Sequence, residues 1–551
     1  MTKINDTSVA YTDAIAHFSA AAEAASLSGS LTDGVNVCVE CCDRHVDGDR
    51  TALVWESQDG RRGTLSFAEL KALSARFANL LVRRGIGRGD VVAGMLPRTP
   101  DLLVVILGTW RAGAVYQPLF TAFGPKAIEQ RFGTSEAKLV VTNAANRAKL
   151  DDVANCPPIA MVDAPRASDI DFHRALAAET DQFEPVMLTD ADRFLMMSTS
   201  GTTGAPKGVP VPVKALLAFQ VYMRDAVDLR PDDIFWNIAD PGWAYGLYYA
   251  VTGPLLLGHA TTFYDGPFTA DSTYAMITRY GITNLAGAPT AYRLLIAAGP
   301  AAAEAVKGRL RVVSSAGEPL NPAVITWFRD HLAVPIHDHY GQTETGMVVA
   351  NHHRLKHVVH VGSAGLATPG IRIVVLSPDG RELPPGEPGE LATDLARSPL
   401  HWFSGYWKKE TPSIAGGYYR SGDFVQMEPD GTFTYVGRSD DVITSSGYRI
   451  GPFDVESALV EHASVIEAAV IGVPDEQRTE IVKAFVVLAD KIVGDAALAE
   501  ELRLYVKGRL SAHAYPRDID FVAQLPKTPS GKVQRFLLRQ AEIDRIRDAG
   551  A

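Results

Sequence analysis

Residues 198–208, SerThrSerGlyThrThrGlyAlaProLysGly, place five hydroxyl side chains, three glycines and one lysine directly after the apolar run Phe194-Leu195-Met196-Met197. This composition suits phosphate: glycines let backbone N–H groups approach an anion, hydroxyls donate hydrogen bonds and the lysine supplies a point charge. It differs from the common phosphate loop, which needs Gly-Lys-Ser/Thr where this chain has Pro206, Lys207 and Gly208. The alternative reading of the segment alone is a flexible Ser/Gly linker. Four further stretches decide between the two: HDHYGQTETG (337–346), YRSGD (419–423), GRSDDVITSSGYRIGPFDVES (437–457) and LPKTPSGK (525–532). They add carboxylates suited to hydroxyl groups or a hard cation, and a lysine in a Pro-Ser-Gly loop.

In this order and at these separations, the five stretches resemble the core motifs of the adenylate-forming superfamily: acyl-CoA synthetases, luciferases and peptide-synthetase adenylation domains. NVCVECCDRHV (36–46), DPGWAYG (240–246), GAPTAYR (287–293), SAGEPLNP (315–322) and YGQTETG (340–346) look most like the acetyl-CoA and medium-chain acyl-CoA synthetase branch. The resemblance covers nearly the whole chain. It implies an α/β fold, with a large N-terminal domain of layered sheets and a β subdomain (1–437), a hinge (438–440) and a smaller, mobile α+β C-terminal domain (441–551). The implied activity is that of an AMP-forming acyl-CoA synthetase. It would convert a short- to medium-chain acid, ATP and CoA to acyl-CoA, AMP and pyrophosphate through an acyl-adenylate. Alternatives are an aryl- or branched-acid CoA ligase, an enzyme loading a carrier protein, and a catalytically dead nucleotide-binding protein.

Joining a carboxylate to ATP asks one anion to attack another at the α-phosphorus, so charge neutralisation and in-line positioning must do most of the work. The resemblance assigns Thr199, Ser200, Gly201, Thr202, Thr203, Gly204 and Lys207 to the β- and γ-phosphates. Glu344, beside Thr343, would help bind Mg²⁺, an ion that takes few protein carboxylates and keeps waters. Gly317, Glu318, Pro319 and Asp338 lie where relatives contact adenine, Asp423 would accept both ribose hydroxyls, and Arg438 and Arg449 complete the ATP-binding set. Lys532 would swing in to bridge the substrate carboxylate and the α-phosphate. Exposed when swung out, it is also a candidate for regulatory acylation, which would remove its charge. For the second half-reaction the small domain would rotate about Asp440 and bring the Gly447 loop to a pantetheine tunnel. The acyl pocket is assigned to Trp243, Ala244, Tyr245 and Gly341. Acetyl-specific relatives carry tryptophan at the position of Gly341, so glycine would open the pocket floor unless the aromatics refill it.

At 551 residues the chain exceeds one ordinary core. Its 53 Lys and Arg against 64 Asp and Glu give a net charge of −11, which argues against nucleic acid or an anionic membrane as the main partner. No run of 18 apolar residues and no signal-peptide core appear, which predicts a cytoplasmic enzyme without a membrane span. Cys38, Cys41, Cys42 and His45 have the spacing of a metal site but also that of one buried helix face, and the second reading is favoured because no further Cys/His pair lies nearby.

The elements that must position these groups alternate strand and helix. Strands are predicted at 51–55, 64–67, 90–96, 114–118, 139–142, 194–197, 234–238, 260–264, 282–286, 310–314 and 335–337, with helices between. Ser66 and Glu69 form a capping-box pattern at the start of a long helix. The stretches 198–208, 314–319 and 338–346 then fall at the carboxyl ends of strands, where ligands bind such sheets. After Gly362, Asp-Gly and Pro-Gly turns between short apolar runs predict β structure. Beyond 441 a hairpin (441–450), a helix (about 453–462), strands (466–473, 482–488) and a helix (about 495–510) are expected.

Overall fold

The computed structural model describes residues 9–199, 206–438, 440–445, 448–475, 478–510, 514–528 and 532–549. A seven-stranded sheet carries the phosphate-type loop. Its order runs Lys207–Pro212, Arg193–Thr199, Val115–Pro118, Val91–Met95, Leu139–Thr142, Ile159–Met161 and Ile170–Asp171, parallel apart from the first pair. Val91–Met95 is buried along its whole length, as a strand covered on both faces must be. The covering helices follow the sequence signals. Ser66 caps Phe67–Arg83 through the reciprocal bonds with Glu69, and Pro100–Arg111 starts on a proline that gives up no helical hydrogen bond there.

An eleven-stranded sheet carries the other motifs. Phe235–Asn237, Asn284–Gly287, Val312–Ala316 and Ile336–Gln342 run parallel; Gly346–Ala350 turns back antiparallel and joins Ser363–Ala367. The β-rich stretch after Gly362 continues from there as Phe433–Arg438, Tyr418–Met427, Pro388–Asp394 and Ile373–Leu376. This continuity sets Asp423 directly across from Arg438.

Three local expectations change. The strand predicted at 335–337 runs on to Gln342, so HDHYGQTETG is strand and hairpin turn rather than a loop after a strand. Thr261–Asp265 forms as a strand but pairs in parallel with Thr51–Ser57, in a separate three-stranded sheet with Arg62–Ser66. The helix face read for Cys38, Cys41, Cys42 and His45 is broken: the helix stops at Cys41 and the chain resumes as a 3₁₀ turn at Asp43–His45. Cys38, Cys41 and Cys42 are fully buried in the apolar core, as the helix-face reading requires.

The C-terminal segment builds a five-stranded sheet from Ile443–Ser445, Tyr448–Ile450, Val465–Asp475, Thr479–Leu488 and Asp518–Phe521 around its own apolar core. Asp518–Phe521 and the final helix, Arg535–Ala549, were not foreseen from sequence. Both are tied to the sheet by Lys483, 1% exposed, whose ammonium lies 2.9 Å from Asp518, 2.8 Å from Asp520 and 3.0 Å from Glu542. A bridge between Lys527 and Val533 and the Thr528 N–H donating to the Lys532 carbonyl at 2.8 Å close the loop that carries Lys532. Among the described residues, no helix is long and apolar enough to cross a membrane.

Candidate active site

The strands that flank the segment 200–206, Arg193–Thr199 and Lys207–Pro212, pair antiparallel with Thr199 opposite Lys207. Ser200, Gly201, Thr202, Thr203 and Gly204 lie outside the described residues, as does Gly447, and the side chain of Arg449 is likewise undescribed. The Lys207 ammonium stands 4.5 Å from the centre of the Tyr406 ring, a cation–π distance.

Glu344 sits in the turn between Ile336–Gln342 and Gly346–Ala350 and is 8% exposed. Tyr406 donates its hydroxyl to Glu344 Oε1 at 2.9 Å. Burial raises the Glu344 carboxyl above the usual carboxylate range, while Tyr406, Lys207 and Lys532 pull it down. Thr343 is fixed through its carbonyl, which accepts from the buried Tyr248 hydroxyl at 2.9 Å. One buried carboxylate with a donor on a single oxygen fits Mg²⁺, which needs only one or two protein carboxylates. Among the described residues no three His, Cys, Asp or Glu side chains converge to hold a metal, so the ion's remaining ligands would come from substrate and water.

Asp423 is 6% exposed and accepts from Tyr340 at 2.6 Å and Gln342 at 2.7 Å, both on Oδ2. Oδ1 receives only a long contact from the Tyr435 hydroxyl, 3.4 Å, and keeps capacity for a further donor. Burial is the main influence on this carboxyl and raises it; Tyr340, Arg438, Gln342 and Lys532 act the other way. Arg438 is an ion-pair partner of Asp440 at 2.9 Å. The neighbouring Asp441 is held from the final helix by Arg539 at 3.1 Å and Arg535 at 3.7 Å.

Asp338 lies beside Ser315 in the parallel ladder, and its Oδ1 is buried without a hydrogen-bond partner among the described residues. Burial pushes its carboxyl well above the ordinary range. An amine donor placed there would satisfy an otherwise costly orphan. Gly317 has φ +97°, a backbone that favours glycine, and open space where a Cβ would point. The Glu318 carboxylate, by contrast, is turned away to Thr290 at 2.8 Å and Arg293 at 3.2 Å, which leaves the backbone of 317–319 as the part free to meet a ligand.

Trp243 packs between Phe120 and Phe123, each with ring centres 5.4 Å away, and Tyr245 meets Tyr249 edge-on at 5.8 Å. Phe120, Phe123 and Tyr249 were not picked out from sequence. Gly341 has a second reason to be glycine: a Cβ there would lie 2.1 Å from the Gly346 carbonyl oxygen, across the bulge in the hairpin. Tyr340, Gln342, Tyr406 and Tyr435 also escaped sequence reasoning, although all but Tyr406 flank or lie within stretches that it singled out.

Elements as much as 325 residues apart thus place Lys207, Arg438 and Lys532 near enough for their charges to bear on Glu344 or Asp423. The AMP-binding enzyme profile matches residues 42–407, and the profile of the AMP-binding enzyme C-terminal domain matches residues 454–532. The chain belongs to the AMP-binding enzyme family. Within it, the acetyl-coenzyme A synthetase of Bacillus subtilis (strain 168) is 37% identical over 97% of this chain and 95% of its own length. The crystal structure of the Brucella canis acyl-CoA synthetase superposes with a TM-score of 0.80 at 64% identity, covering 98% of this chain and 99% of that one. ATP-bound MatB from Rhodopseudomonas palustris superposes at 0.81 with 28% identity over 92% and 99% of the two chains.

Proposed function

We propose that this member of the AMP-binding enzyme family is an AMP-forming acyl-CoA synthetase acting on a short- to medium-chain carboxylic acid. The observation that carries the reading is the geometry around Asp423, set across from Arg438 in the sheet and bonded on one oxygen by Tyr340 and Gln342, with the charge of Lys532, from the C-terminal segment, bearing on it and on Glu344. ATP supplies the adenylyl group and CoA the thiol. Asp423, fixed on one oxygen by Tyr340 and Gln342, offers the other to the ribose; Asp338 and the 317–319 backbone meet the adenine; Lys207 and the loop after Thr199 hold the outer phosphates. Glu344 would hold Mg²⁺, which when bound spreads the charge of the phosphates. Lys532 sits where an ammonium would offset the two anions that must approach at the α-phosphorus. The CoA thiol then attacks the acyl carbon, forming the thioester and releasing AMP, after the segment beyond 438–440 rotates, with Asp440 as the hinge and Gly447 admitting the pantetheine arm. The Arg438–Asp440 and Arg539–Asp441 pairs are the contacts that such a rotation would break or carry with it. Trp243, Ala244, Tyr245 and Gly341 bound the acyl pocket, and a cytoplasmic location belongs to the same reading.

The test is ATP–pyrophosphate exchange across straight-chain acids from acetate to decanoate, with benzoate and isobutyrate alongside, followed by CoA-dependent AMP release on the acids that respond. Exchange peaking beyond propionate with CoA-dependent release is expected. A peak at acetate would mean that Trp243 and Tyr245 close the pocket, exchange without CoA-dependent release would point to a carrier protein as acceptor, and no exchange with any acid would overturn the reading.

A further inference from the structure

Tyr406 stands outside every stretch that the sequence marks for chemistry, yet it touches two of the charged groups. Its hydroxyl donates to Glu344 Oε1 at 2.9 Å, and its ring carries the Lys207 ammonium at 4.5 Å. The residue is braced from both sides. Its N–H donates to Thr411 Oγ1 at 2.8 Å, and its ring meets Phe403 edge-on at 5.1 Å. The next residue, Trp407, donates its N–H to the Gly208 carbonyl at 2.8 Å and holds the Arg193 guanidinium 3.8 Å over its ring. Trp407 therefore ties this segment to the two strands on either side of the phosphate-type stretch.

Lys207 and Glu344 attract each other, but no ion pair forms between them. A direct pair would neutralise both groups before ATP arrived, and in a buried site it would be slow to give way to a ligand. The aromatic ring offers the ammonium a weaker, non-neutralising contact, and the hydroxyl occupies one carboxylate oxygen while leaving the other. We propose that Tyr406 is a positioning residue for adenylation: it fixes the Glu344 carboxylate for the cation that accompanies ATP and keeps Lys207 separate from it, available to the phosphates. This rests on the assignment of Glu344 and Lys207 given above.

The two functions separate by substitution. Tyr406→Phe keeps the ring and removes only the hydroxyl; Tyr406→Leu removes both. Calorimetric titration with a non-hydrolysable ATP analogue, in Mg²⁺ and again in EDTA, reads binding without turnover. The wild-type chain should bind the analogue more tightly in Mg²⁺. Tyr406→Phe should lose about tenfold of that Mg²⁺-dependent gain, the scale of one hydrogen bond to a charged group, with its affinity in EDTA unchanged. Tyr406→Leu should weaken binding in both media, because Lys207 is then free to close on Glu344. In exchange assays both variants should raise the KM for MgATP and leave the KM for the acid alone, a split that general loosening of the fold would not produce. A Tyr406→Phe chain with the full wild-type Mg²⁺ gain would overturn the proposal while wild-type exchange left the adenylation reading standing. A wild-type chain whose affinity ignores Mg²⁺ would overturn both.

Discussion

The two faces of the strand Ile336–Gln342 treat ionisable groups in opposite ways. One face presents Asp338, Tyr340 and Gln342; the latter two aim donors at Asp423 and oppose the rise that burial imposes on its carboxyl. The other face presents His337 and His339, packed away as neutral rings. His337 donates from Nδ1 to the Asn351 carbonyl at 2.8 Å and stacks on His353 with ring centres 3.9 Å apart. His339 takes the Tyr222 hydroxyl at Nδ1, 2.8 Å, and faces the Asn351 carbonyl from Nε2 at 3.3 Å. Burial drives the pKa of both histidines down. Burial alone suppresses charge; burial with aimed donors and nearby cations retains it, and only the second arrangement is useful for handling a nucleotide. Removing the cation that both site carboxylates feel should therefore have the largest effect. Lys532→Ala should lower pyrophosphate exchange by at least about a thousandfold, the scale of a preorganised charge lost from a transition state, and spare thioester formation from supplied acyl-adenylate. Equal loss in both half-reactions would remove Lys532 from the role given to it.

The neutral histidine region answers to pH instead. His352, 2% exposed and beside His357, is held at about 4 against an ordinary 6.5, chiefly by burial. In the unfolded chain its imidazole takes a proton as pH falls through 6.5, whereas the folded chain resists until about 4. Between those values the unfolded state binds more protons, so stability declines as pH drops across that window and levels off below it. One such group is worth on the order of 3 kcal/mol at the acid end. The melting temperature should fall between about pH 7 and about pH 5, and His352→Asn should flatten that fall. A variant with the wild-type slope would assign the acid sensitivity to other groups.

What was legible in the sequence was local. The capping box at Ser66 and Glu69, the strand Leu139–Thr142 and the buried cysteine face each follow from neighbours in the chain, and the motif stretches name most of the polar cluster. What escaped depends on pairing over long separations. Thr261–Asp265 reads correctly as a strand, but nothing nearby says that it joins Thr51–Ser57 rather than the large sheet. Tyr340 and Gln342 sit inside a recognised stretch, yet their service to Asp423 spans 83 and 81 residues. The Glu318 carboxylate bonds Thr290 and Arg293, 28 and 25 residues earlier in the chain, a contact that the motif around it does not announce.

The contrast between the faces is sharpest at Tyr340, whose hydroxyl makes the shortest bond to Asp423, 2.6 Å. Tyr340→Phe keeps the ring against Tyr435 and leaves Gln342 as the remaining donor on Oδ2. With one charge-assisted bond gone, worth about 1.5 kcal/mol or somewhat more, the KM for ATP should rise about tenfold while the KM for the acid stays put. The direction with pH follows from the same bond. Burial already raises the Asp423 carboxyl and Tyr340 opposes that rise, so removing the hydroxyl lets it climb further. The carboxylate able to accept the ribose hydroxyls is then lost earlier on acidification, and the acid limb of kcat/KM for ATP should move to higher pH in the variant. If that limb and the KM for ATP both stay where they are in the wild type, the strand's polar face is scaffolding around Asp423 rather than the source of its charge.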